Sequence, residues 1–326
     1  MTDAALVLGA RVLVLGSGKA GHEINARGVA EALGGETTFR RVAPRPLFDR
    51  LAPWGPMDPR DRAIFLSAPP PDIVIACGRV TVPYIRALKK AGGQKLLAVF
   101  LQDPRISRAT MDLIWTPAHD KLRGANVLTT LTSPHPFSKA RLAAARAAPD
   151  PRLANLPTPR LGLVLGGPSG AQHFTAADVA SLREAVRAIV AQGYSVMATP
   201  SRRTPPDLLA AVRDGLGSAP GFVWDGLGEN PYAAILALAD ALLVTGDSAN
   251  MVGEAVATGA PAHIFEPSGG GSPKLEAMID GLVARGAARR FAGRIEPFFY
   301  EPIDSSQEIA AEIAKRFRAT RGCKGL

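Results

Sequence analysis

The chain has 326 residues and a mass of 34.1 kDa, which exceeds one ordinary domain and suits two domains of about 150 residues. Hydrophobic residues make up 47% of it and charged residues 21%, which excludes a disordered chain. Aromatic residues are only 6%, which argues against nucleic-acid modules that stack bases. The two cysteines, Cys77 and Cys323, exclude a disulfide framework or a cysteine zinc site and indicate a reducing compartment.

The sequence carries no recognisable membrane or export signal. No apolar run reaches the roughly 20 residues of a membrane span. The segment from Met1 to Arg11 lacks the basic region, the apolar core and the cleavage site of a signal peptide. We therefore expect a cytoplasmic protein.

The net charge of +9 is unevenly distributed. Residues 1–156 hold 22 Lys and Arg against 12 Asp and Glu, a balance of +10, whereas residues 157–326 hold 16 against 17, a balance of −1. The first half is therefore expected to face an anionic membrane surface, a phosphorylated acceptor or nucleic acid. Nucleic acid is disfavoured because no helix-turn-helix, zinc-finger or RNP-type pattern occurs. A solvated basic surface without a partner remains the alternative.

In the first half, short runs rich in Val, Leu and Ile alternate with amphipathic stretches, as parallel strands and crossover helices do. The predicted strands are Arg11–Leu15, Thr37–Val42, Asp72–Ala76, Lys95–Leu101, Leu113–Thr116 and Asn126–Thr130. The predicted helices are Glu23–Leu33, Val82–Ala91 and Ser138–Ala147. The segment 143–159 carries four prolines and loses periodicity, which predicts an interdomain linker after a first domain of residues 1–150.

The second half, residues 157–304, repeats the scheme. Its predicted strands are Leu161–Leu165, Ser195–Ala198, Gly221–Val223, Ala241–Val244 and Pro261–Phe265. Thr175 and Asp178 form a capping-box variant that predicts a helix to about Ala191, and a second helix begins near Thr204. A last helix begins at Ser305, within residues 305–326. The pattern predicts an α/β fold of two doubly wound, Rossmann-type domains.

Ligands of doubly wound sheets bind beyond the carboxyl ends of the strands, so the loops after the strands are the candidate sites. The first loop matches G-x-G-x-x-G and contains Gly18, Lys19, Gly21 and His22. A dinucleotide site needs an acid at the end of the second strand, but Arg40 and Arg41 stand there, so only an NADP site using an arginine would fit. His22 titrates where a general base is useful. The alternative is that the glycines form a tight turn for packing the strand on the helix and that His22 is a structural residue.

Three further loops of the first half carry polar side chains expected at the same sheet edge. They contain Arg79, then Asp103 and Arg105, then His119 and Asp120. Asp103 and Asp120 are candidate bases or could orient a histidine. Each is alternatively a cap or turn residue.

Two loops of the second half suit a diphosphate. Gly166, Gly167, Ser169 and Gly170 follow a strand, and their main-chain N–H groups could surround a phosphate. Between the next strand and a helix, Ser201, Arg202 and Arg203 could clamp a pyrophosphate. The alternative for the arginines is an exposed pair with an ordinary helix cap.

The strongest local pattern follows the strand that ends at Val244. Asp247 or Ser248 is expected to cap a helix whose first turns contain Asn250, Met251 and Glu254. Such a glutamate can accept hydrogen bonds from both hydroxyls of a ribose, while the helix N-terminus faces the phosphates. Glu254 is alternatively a solvent-facing helix residue.

Several other functions are disfavoured by the sequence. It contains no P-loop, no G-x-S-x-G elbow and no His or carboxylate cluster with metal spacing, so we expect no bound metal. An NADP-dependent epimerase or reductase is disfavoured because no tyrosine begins a Y-x-x-x-K pair.

Six runs together resemble the ELM family, which comprises bacterial proteins and plant homologues linked to mitochondrial fission. They are GKAGHE (18–23), LQDPR (101–105), PAHDKLRGANV (117–127), GGPSGA (166–171), SRRTPP (201–206) and ENPYAAILALADALLVTGDSANMVGEAVATGAP (229–261). The family in turn resembles GT-B glycosyltransferases, above all the peptidoglycan N-acetylglucosaminyltransferase that makes lipid II. Gly21 and His22 match that enzyme's first loop, residues 166–171 match its second glycine loop, and Glu254 matches its donor-site glutamate.

The resemblance implies a GT-B-like pair of domains facing across a cleft, with the final helix packing back on the first. The N-terminal domain would bind the acceptor, with Gly18, Lys19, Gly21, Arg79, Arg105 and His119 on the acceptor side. The C-terminal domain would bind a nucleotide sugar, expected to be UDP-linked, as a substrate rather than a cofactor.

We therefore expect a metal-independent glycosyltransferase that acts on a membrane-associated glycan or lipid, and that is cytoplasmic or peripheral on the inner membrane face. His22, or else Asp103 or Asp120, would be the base. The alternative is a non-catalytic adaptor that keeps the fold and organises membrane or division machinery.

Overall fold

A computed structural model describes residues 6–67 and 69–322. Cys323 and the end of the predicted helix 305–326 lie outside the described residues. Among the described residues, none of the helices combines the length and the apolar character needed to cross a bilayer.

Strands and helices alternate along the chain. The strands are β1 (Arg11–Gly16), β2 (Glu36–Arg41), β3 (Ile73–Cys77), β4 (Leu97–Leu101), β5 (Leu113–Pro117), β6 (Val127–Thr130), β7 (Arg160–Leu165), β8 (Gln172–His173), β9 (Ser195–Pro200), β10 (Gly221–Val223), β11 (Ala241–Thr245), β12 (Ala262–Phe265), β13 (Gly269–Gly270) and β14 (Ala288–Arg290). The helices are α1 (Ala20–Leu33), α2 (Pro46–Leu51), α3 (Arg62–Leu66), α4 (Val82–Gly92), α5 (Lys139–Ala147), α6 (Pro151–Ala154), α7 (Ala176–Ala191), α8 (Pro206–Leu216), α9 (Tyr232–Leu238), α10 (Ala249–Val256), α11 (Pro273–Ala284) and α12 (Ser305–Gly322). Short 3-10 helices cover Pro59–Asp61, Arg79–Thr81, Gly93–Lys95 and Arg108–Thr110.

The chain forms two compact units. The first contains the residues up to Ser138 and those from Asp304 onward, and the second is Lys139–Ile303. The predicted first domain, residues 1–150, therefore extends past this division, because α5 belongs to the second unit.

The segment 143–159, predicted as a linker, is mostly folded. The Arg146 Nε atom donates to the carbonyl of Ala237 at 2.7 Å, and the fully buried Leu153 packs with Met197 and Ile235. The side chain of Asp150 caps α6 by accepting a hydrogen bond from the amide of Arg152. Pro151 is the first residue of the helix, a position that favours proline. Helices this short show little periodicity, which explains why the pattern indicated a linker.

The first unit is a doubly wound parallel sheet, as predicted. Its strand order is β2-β1-β3-β4-β5-β6, and every neighbouring pair is parallel. Alternate residues of β1 enter different cores: Val12 and Val14 pack on the α1 side, and Leu13 and Leu15 pack on the α4 side. The chain goes to one side of β1 first and then to the other, so the switch point, where such sheets bind ligands, lies between β1 and β3.

The second unit is also doubly wound, with the strand order β10-β9-β7-β11-β12-β14. Counted from β7 as the first strand, this is the order 3-2-1-4-5-6 of dinucleotide-binding sheets, with its switch point between β7 and β11. The predicted capping box is confirmed, because Thr175 accepts from the Asp178 amide and Asp178 from the Thr175 amide. The helix predicted from Thr204 begins two residues later, at Pro206.

Helix α12 belongs to the first unit, although it follows the second in sequence. Ile309, Ile313 and Phe317 lie four residues apart, so they share one face of the helix, and that face is buried in the core with α1. The hydroxyl of Ser306 donates to the carbonyl of His135 at 2.6 Å and accepts from its amide at 2.7 Å. These contacts fix α12 to the segment that follows β6.

Candidate functional site

In the second unit, the loops after β7 and β11 meet at the switch point. The amide of Gly167 donates to Oδ2 of Asp247 at 2.9 Å, and the amide of Gly166 donates to the hydroxyl of Thr245 at 2.7 Å. A Cβ atom at Gly166 would lie 2.1 Å from Oδ2 of Asp247. Only glycine therefore lets the two loops approach this closely.

The side chain of Asp247 is fully buried, and Arg203 supplies its counter-charge. The Arg203 Nη2 atom lies 3.6 Å from Oδ2 of Asp247, while Nη1 donates to the carbonyls of Gly167 and Pro168 at 3.1 and 3.0 Å. The other carboxylate oxygen, Oδ1, has no hydrogen-bond partner among the described residues. Both arginines are exposed, but Arg203 is bound to Asp247 and to the loop after β7, whereas Arg202 makes no such contact among the described residues.

The loop after β7 satisfies many of its own amides. The amide of Ser169 donates to the carbonyl of Gln172 at 2.8 Å, and the hydroxyl of Ser169 accepts from the amides of Ala171 and Gln172. Gly170 stands exposed at the tip. The loop is thus a self-supporting turn rather than an open ring of donors.

The loop after β9 is joined to the end of β7. The amide of Ser201 donates to the carbonyl of Leu165 at 2.8 Å, and the hydroxyl of Thr204 donates to the carbonyl of Gly166 at 2.5 Å. This places Ser201 and its neighbour Arg202 beside the loop after β7.

After β11, Ser248 is the N-cap of α10 and accepts from the amide of Met251 at 3.5 Å. Asp247 is not the cap, because its carboxylate points to the loop after β7 instead. Asn250 lies in the first turn of α10 and is partly buried. The long capping bond leaves the first turn of α10 only weakly capped.

Glu254 is buried in α10 and is not the solvent-facing residue of the alternative reading. The hydroxyl of Tyr232, at the start of α9, donates to its Oε2 atom at 2.5 Å. Burial raises the pKa of Glu254 to about 7, and the hydrogen bond from Tyr232 opposes that rise. Burial also raises the pKa of Tyr232 well above its usual value.

Sequence reasoning missed the loop between β12 and α11, which is also at the carboxyl edge. Its glycines form β13, which pairs with β8, and the amide of Ser268 donates to the Asp178 carboxylate at 3.1 Å. Ser272 is the N-cap residue of α11, and its side chain makes no capping hydrogen bond. The run Ser268–Ser272 has three glycines between two serines, and a proline follows it. This composition indicates a loop between a strand and a helix, as it did for the loops that were predicted.

In the first unit, the carboxylate of Glu23 fills the turn after β1. Its Oε1 atom accepts from the amide of Gly18 at 2.9 Å, and its two oxygens accept from Nε and Nη2 of Arg41 at 2.8 and 2.7 Å. An NADP site would use the amide of Gly18 and an arginine at the end of β2. That amide and Arg41 are both bound to Glu23 instead. This arrangement disfavours the dinucleotide alternative.

His22 lies at the switch point of the first sheet. Its Nδ1 atom is 2.9 Å from the hydroxyl of Ser17, and a Cβ atom at Gly78 would lie 2.5 Å from the same nitrogen. Gly78 has a φ of 96°, which favours glycine, so the loop after β3 approaches the imidazole closely. Burial first, and the charge of Lys19 second, lower the pKa of His22 below its usual value, so its imidazole is neutral at pH 7.

Lys19 and Gly21 precede this histidine in the chain. Lys19 is the exposed N-cap of α1, without a side-chain capping bond, and Gly21 lies in the first turn. Both are on the same loop as Gly18.

The carboxylates of Asp103 and Asp120 each accept a hydrogen bond from a residue close by in the chain. Oδ1 of Asp103 accepts from the amide of Arg105 at 2.8 Å, and Oδ2 of Asp120 accepts from the hydroxyl of Thr116 at 3.1 Å. Arg105 is exposed with a φ of 56°, and His119 is partly buried in the turn after β5. Since β4 and β5 lie two and three strands from β1, these loops are roughly 10 and 14 Å along the edge from the loop of His22.

Arg79 supports α2. Its guanidinium donates to the carboxylate and carbonyl of Asp49 and, at 2.7 Å, to the carbonyl of Ala52.

Comparisons with known proteins agree with this architecture. A crystal structure of a candidate UDP-N-acetylglucosamine 2-epimerase from Listeria monocytogenes superimposes with a TM-score of 0.53 at 14% identity, covering 95% of this chain and 88% of that one. At this identity the similarity concerns the fold alone, and it agrees with the predicted GT-B-like pair of Rossmann-type domains.

Relatives at higher identity come from a plant and a bacterium. The Arabidopsis thaliana protein named Mitochondrial fission protein ELM1 is 28% identical over 283 residues, 77% of this chain. The chain spans 65% of that protein's length, just under two thirds. An uncharacterised Rickettsia prowazekii protein is 26% identical over 289 residues, 76% of this chain and 79% of its own length. The family described as Mitochondrial fission ELM1 matches residues 20–317, so the chain belongs to this family, as the six sequence runs predicted.

Proposed function

We propose that this protein is a metal-independent glycosyltransferase that uses a nucleotide-diphosphate sugar as donor, bound at the switch point of the second unit. The observation that carries the proposal is the meeting of three loops there: the Gly166–Gly167 turn, the arginine loop after β9 and the start of α10. A weakly capped helix N-terminus and an exposed arginine are suited to a diphosphate.

The roles in the donor site follow from what each group already contacts. Arg203 neutralises Asp247, so Arg202 is the side chain left to meet the diphosphate. The main-chain amides of Gly170 at the loop tip, beside Ser169, and of Asn250 and Met251 in the first turn of α10 would lie near the same groups. Glu254 would accept the ribose hydroxyls in exchange for its bond from Tyr232.

In the reaction, an acceptor hydroxyl attacks the anomeric carbon of the sugar while the bond to the diphosphate breaks. Arg202 and the α10 amides would stabilise the charge that develops on the leaving diphosphate. The neutral imidazole of His22 would remove the proton of the attacking hydroxyl. We propose a membrane-associated glycan or lipid as acceptor, because the positive charge of the chain is concentrated in residues 1–156.

Thermal unfolding in the presence of UDP, GDP, dTDP, ADP, CMP and NADP, each in turn, tests the donor site. A ligand at about 100 times its Kd adds roughly 2.7 kcal/mol to the free energy of unfolding, which raises Tm measurably. We expect one nucleoside diphosphate, with UDP the first choice, to raise Tm in the wild type and to lose most of that effect in Arg202→Ala. Arg213→Ala, an exposed arginine on α8, is the matched control and should behave as wild type. A rise with NADP alone would contradict the proposal.

Turnover of the sugar nucleotide tests the catalytic role separately. His22→Ala should reduce transfer at least tenfold while the nucleotide still raises Tm. If donor binding is lost instead, His22 is not the base.

The description of the family, Mitochondrial fission ELM1, supports a second candidate function. On this reading the protein is a non-catalytic adaptor that retains the fold. It predicts that none of the nucleotides raises Tm and that no sugar nucleotide is consumed.

A further inference from the structure

We propose that α2 and the turn after it form a docking surface for an anionic lipid bilayer. The surface consists of the side chains of Leu47, Leu51 and Trp54 and is called the α2 patch below. It deepens the proposed function in one respect, by giving a membrane-associated acceptor a place of approach.

The α2 patch is apolar and faces outward. Leu47 is 62% exposed, Leu51 43% and Trp54 69%, and α2 contributes no buried residue to the core. Leu47 and Leu51 are four residues apart on the helix, so they lie on one face. Isolated exposed apolar residues are ordinary, but three within eight residues form a patch of the kind that marks an interaction site.

Hydrogen bonds hold α2 in place, and the buried Ala52 and Pro53 anchor the turn after it. Besides the bonds of Arg79 to Asp49 and Ala52, the guanidinium of Arg86 donates to the carbonyl of Trp54 at 3.0 Å. Two arginines from the loop after β3 and from α4 therefore fix a helix whose apolar side chains face solvent. Because these hydrogen bonds go to the backbone of the segment, its apolar side chains can face solvent while the segment stays folded.

The charge around the patch selects the occupant. Exposed arginines flank it in sequence at Arg45, Arg50, Arg60 and Arg62. The neighbouring acids are paired: Asp49 with Arg79 at 2.5 Å, the buried Asp58 with Arg45 at 2.8 Å, and the buried Asp61 with Arg60 at 3.6 Å. Arg50 and Arg62 have no carboxylate partner among the described residues, so the net charge at the rim is positive. An apolar centre containing tryptophan, surrounded by arginines, fits the interface of a bilayer with anionic headgroups.

The position of the patch connects it to the candidate base. α2 follows β2 at the carboxyl edge of the first sheet, and Arg79, which holds α2, directly follows Gly78, whose backbone approaches His22. An acceptor headgroup in a bilayer under the α2 patch would thus be presented at the edge that carries His22.

Co-sedimentation of the full chain with large vesicles tests the proposal, using phosphatidylcholine alone and phosphatidylcholine with 30% phosphatidylglycerol. We expect binding to the anionic vesicles only, weakened by raising NaCl from 0.1 to 0.5 M. The variant Leu47→Ser/Leu51→Ser/Trp54→Ser should lower the partition coefficient at least tenfold, and Arg50→Gln/Arg62→Gln should lower it several-fold. The control Leu227→Ser/Phe299→Ser removes two exposed apolar side chains of the second unit and should bind as wild type.

A second measurement locates the contact. Brominated lipids should quench tryptophan fluorescence in the wild type, and that quenching should disappear in Trp54→Phe. Absence of binding to anionic vesicles, binding unaffected by the triple substitution, or quenching that persists in Trp54→Phe would each overturn the proposal. Vesicle binding needs no nucleotide and no turnover, so its failure leaves the donor site untouched, and failure of the nucleotide assay leaves the docking surface untouched.

Discussion

Oε2 of Glu254 accepts a hydrogen bond from the Tyr232 hydroxyl, and this contact joins the start of α9 to the second turn of α10. Glu254 is buried and Tyr232 partly buried, and Glu254 lies on the helix whose first turn faces the switch point. Because burial keeps the carboxyl protonated to about pH 7, the stability of the fold is coupled to its charge.

Replacing Glu254 with glutamine should change how stability depends on pH. In the wild type the folded state holds a proton that the unfolded chain loses above about pH 4.5, so the free energy of unfolding falls between pH 4.5 and 7. The fall is at most roughly 3 kcal/mol. Glu254→Gln keeps an acceptor for Tyr232 and removes this dependence. Urea unfolding should show a gain over wild type that is larger at pH 8 than at pH 5. An equal difference at both pH values would contradict the assignment, and Glu276→Gln, exposed on α11, is the control.

The charge of Lys19 should be visible in the titration of His22. Lys19→Gln removes the second of the two causes that lower the pKa of His22, so that pKa should rise while remaining below its usual value because of burial. NMR titration of the imidazole gives the measurement, with His22→Asn identifying the resonance. If the protein is active, the acid limb of its pH profile should move to higher pH in the same variant. A titration unchanged by Lys19→Gln would exclude the contact.

The close approach of Gly166 and Asp247 predicts coupled substitutions. Gly166→Ala places a methyl group against the buried carboxylate and should destabilise the second unit by about 1–3 kcal/mol. In the Asp247→Ala background the same change should cost much less, because the opposing atoms are gone. Urea unfolding of the two single variants and the double variant measures the coupling. Additive effects would show that the two loops do not meet as described.

Ser306 should be more important to stability than its neighbour Ser305. Ser306→Ala leaves the buried amide and carbonyl of His135 without their partner and should cost about 2 kcal/mol. Among the described residues, the Ser305 hydroxyl bonds that of Thr132 alone, at 2.6 Å, so Ser305→Ala should cost less. Chemical denaturation of both variants decides the comparison, and equal losses would refute the asymmetry.

Much of the fold could be predicted from local patterns. β1, β3, β4, β7 and β11 are continuous apolar runs buried on both faces, and the structure places them within two residues of the predicted strands. The cap at Thr175 depends on residues adjacent in sequence, which is why it was predicted correctly.

The missed features depend on contacts between distant residues. α2 buries none of its residues, so no periodic pattern indicates it. It is held by hydrogen bonds from Arg79 to its C-terminal end and from Arg86 to the turn that follows it. Likewise Glu23, a first-turn residue of α1, closes the loop after β1 only because Arg41 ends the neighbouring strand. The sequence could suggest a phosphate loop there but not the internal carboxylate that fills it.

The place of α12 has a consequence for synthesis on the ribosome. The core of the first unit includes Ile309, Ile313 and Phe317, which emerge only after the whole of the second unit has been translated. At typical elongation rates this leaves the first sheet without one of its covering helices for on the order of ten seconds. The second unit is continuous in sequence and can complete its core before the first. Folding in the order of translation is thus reversed for this chain, and the nascent first unit is the part that needs protection from aggregation.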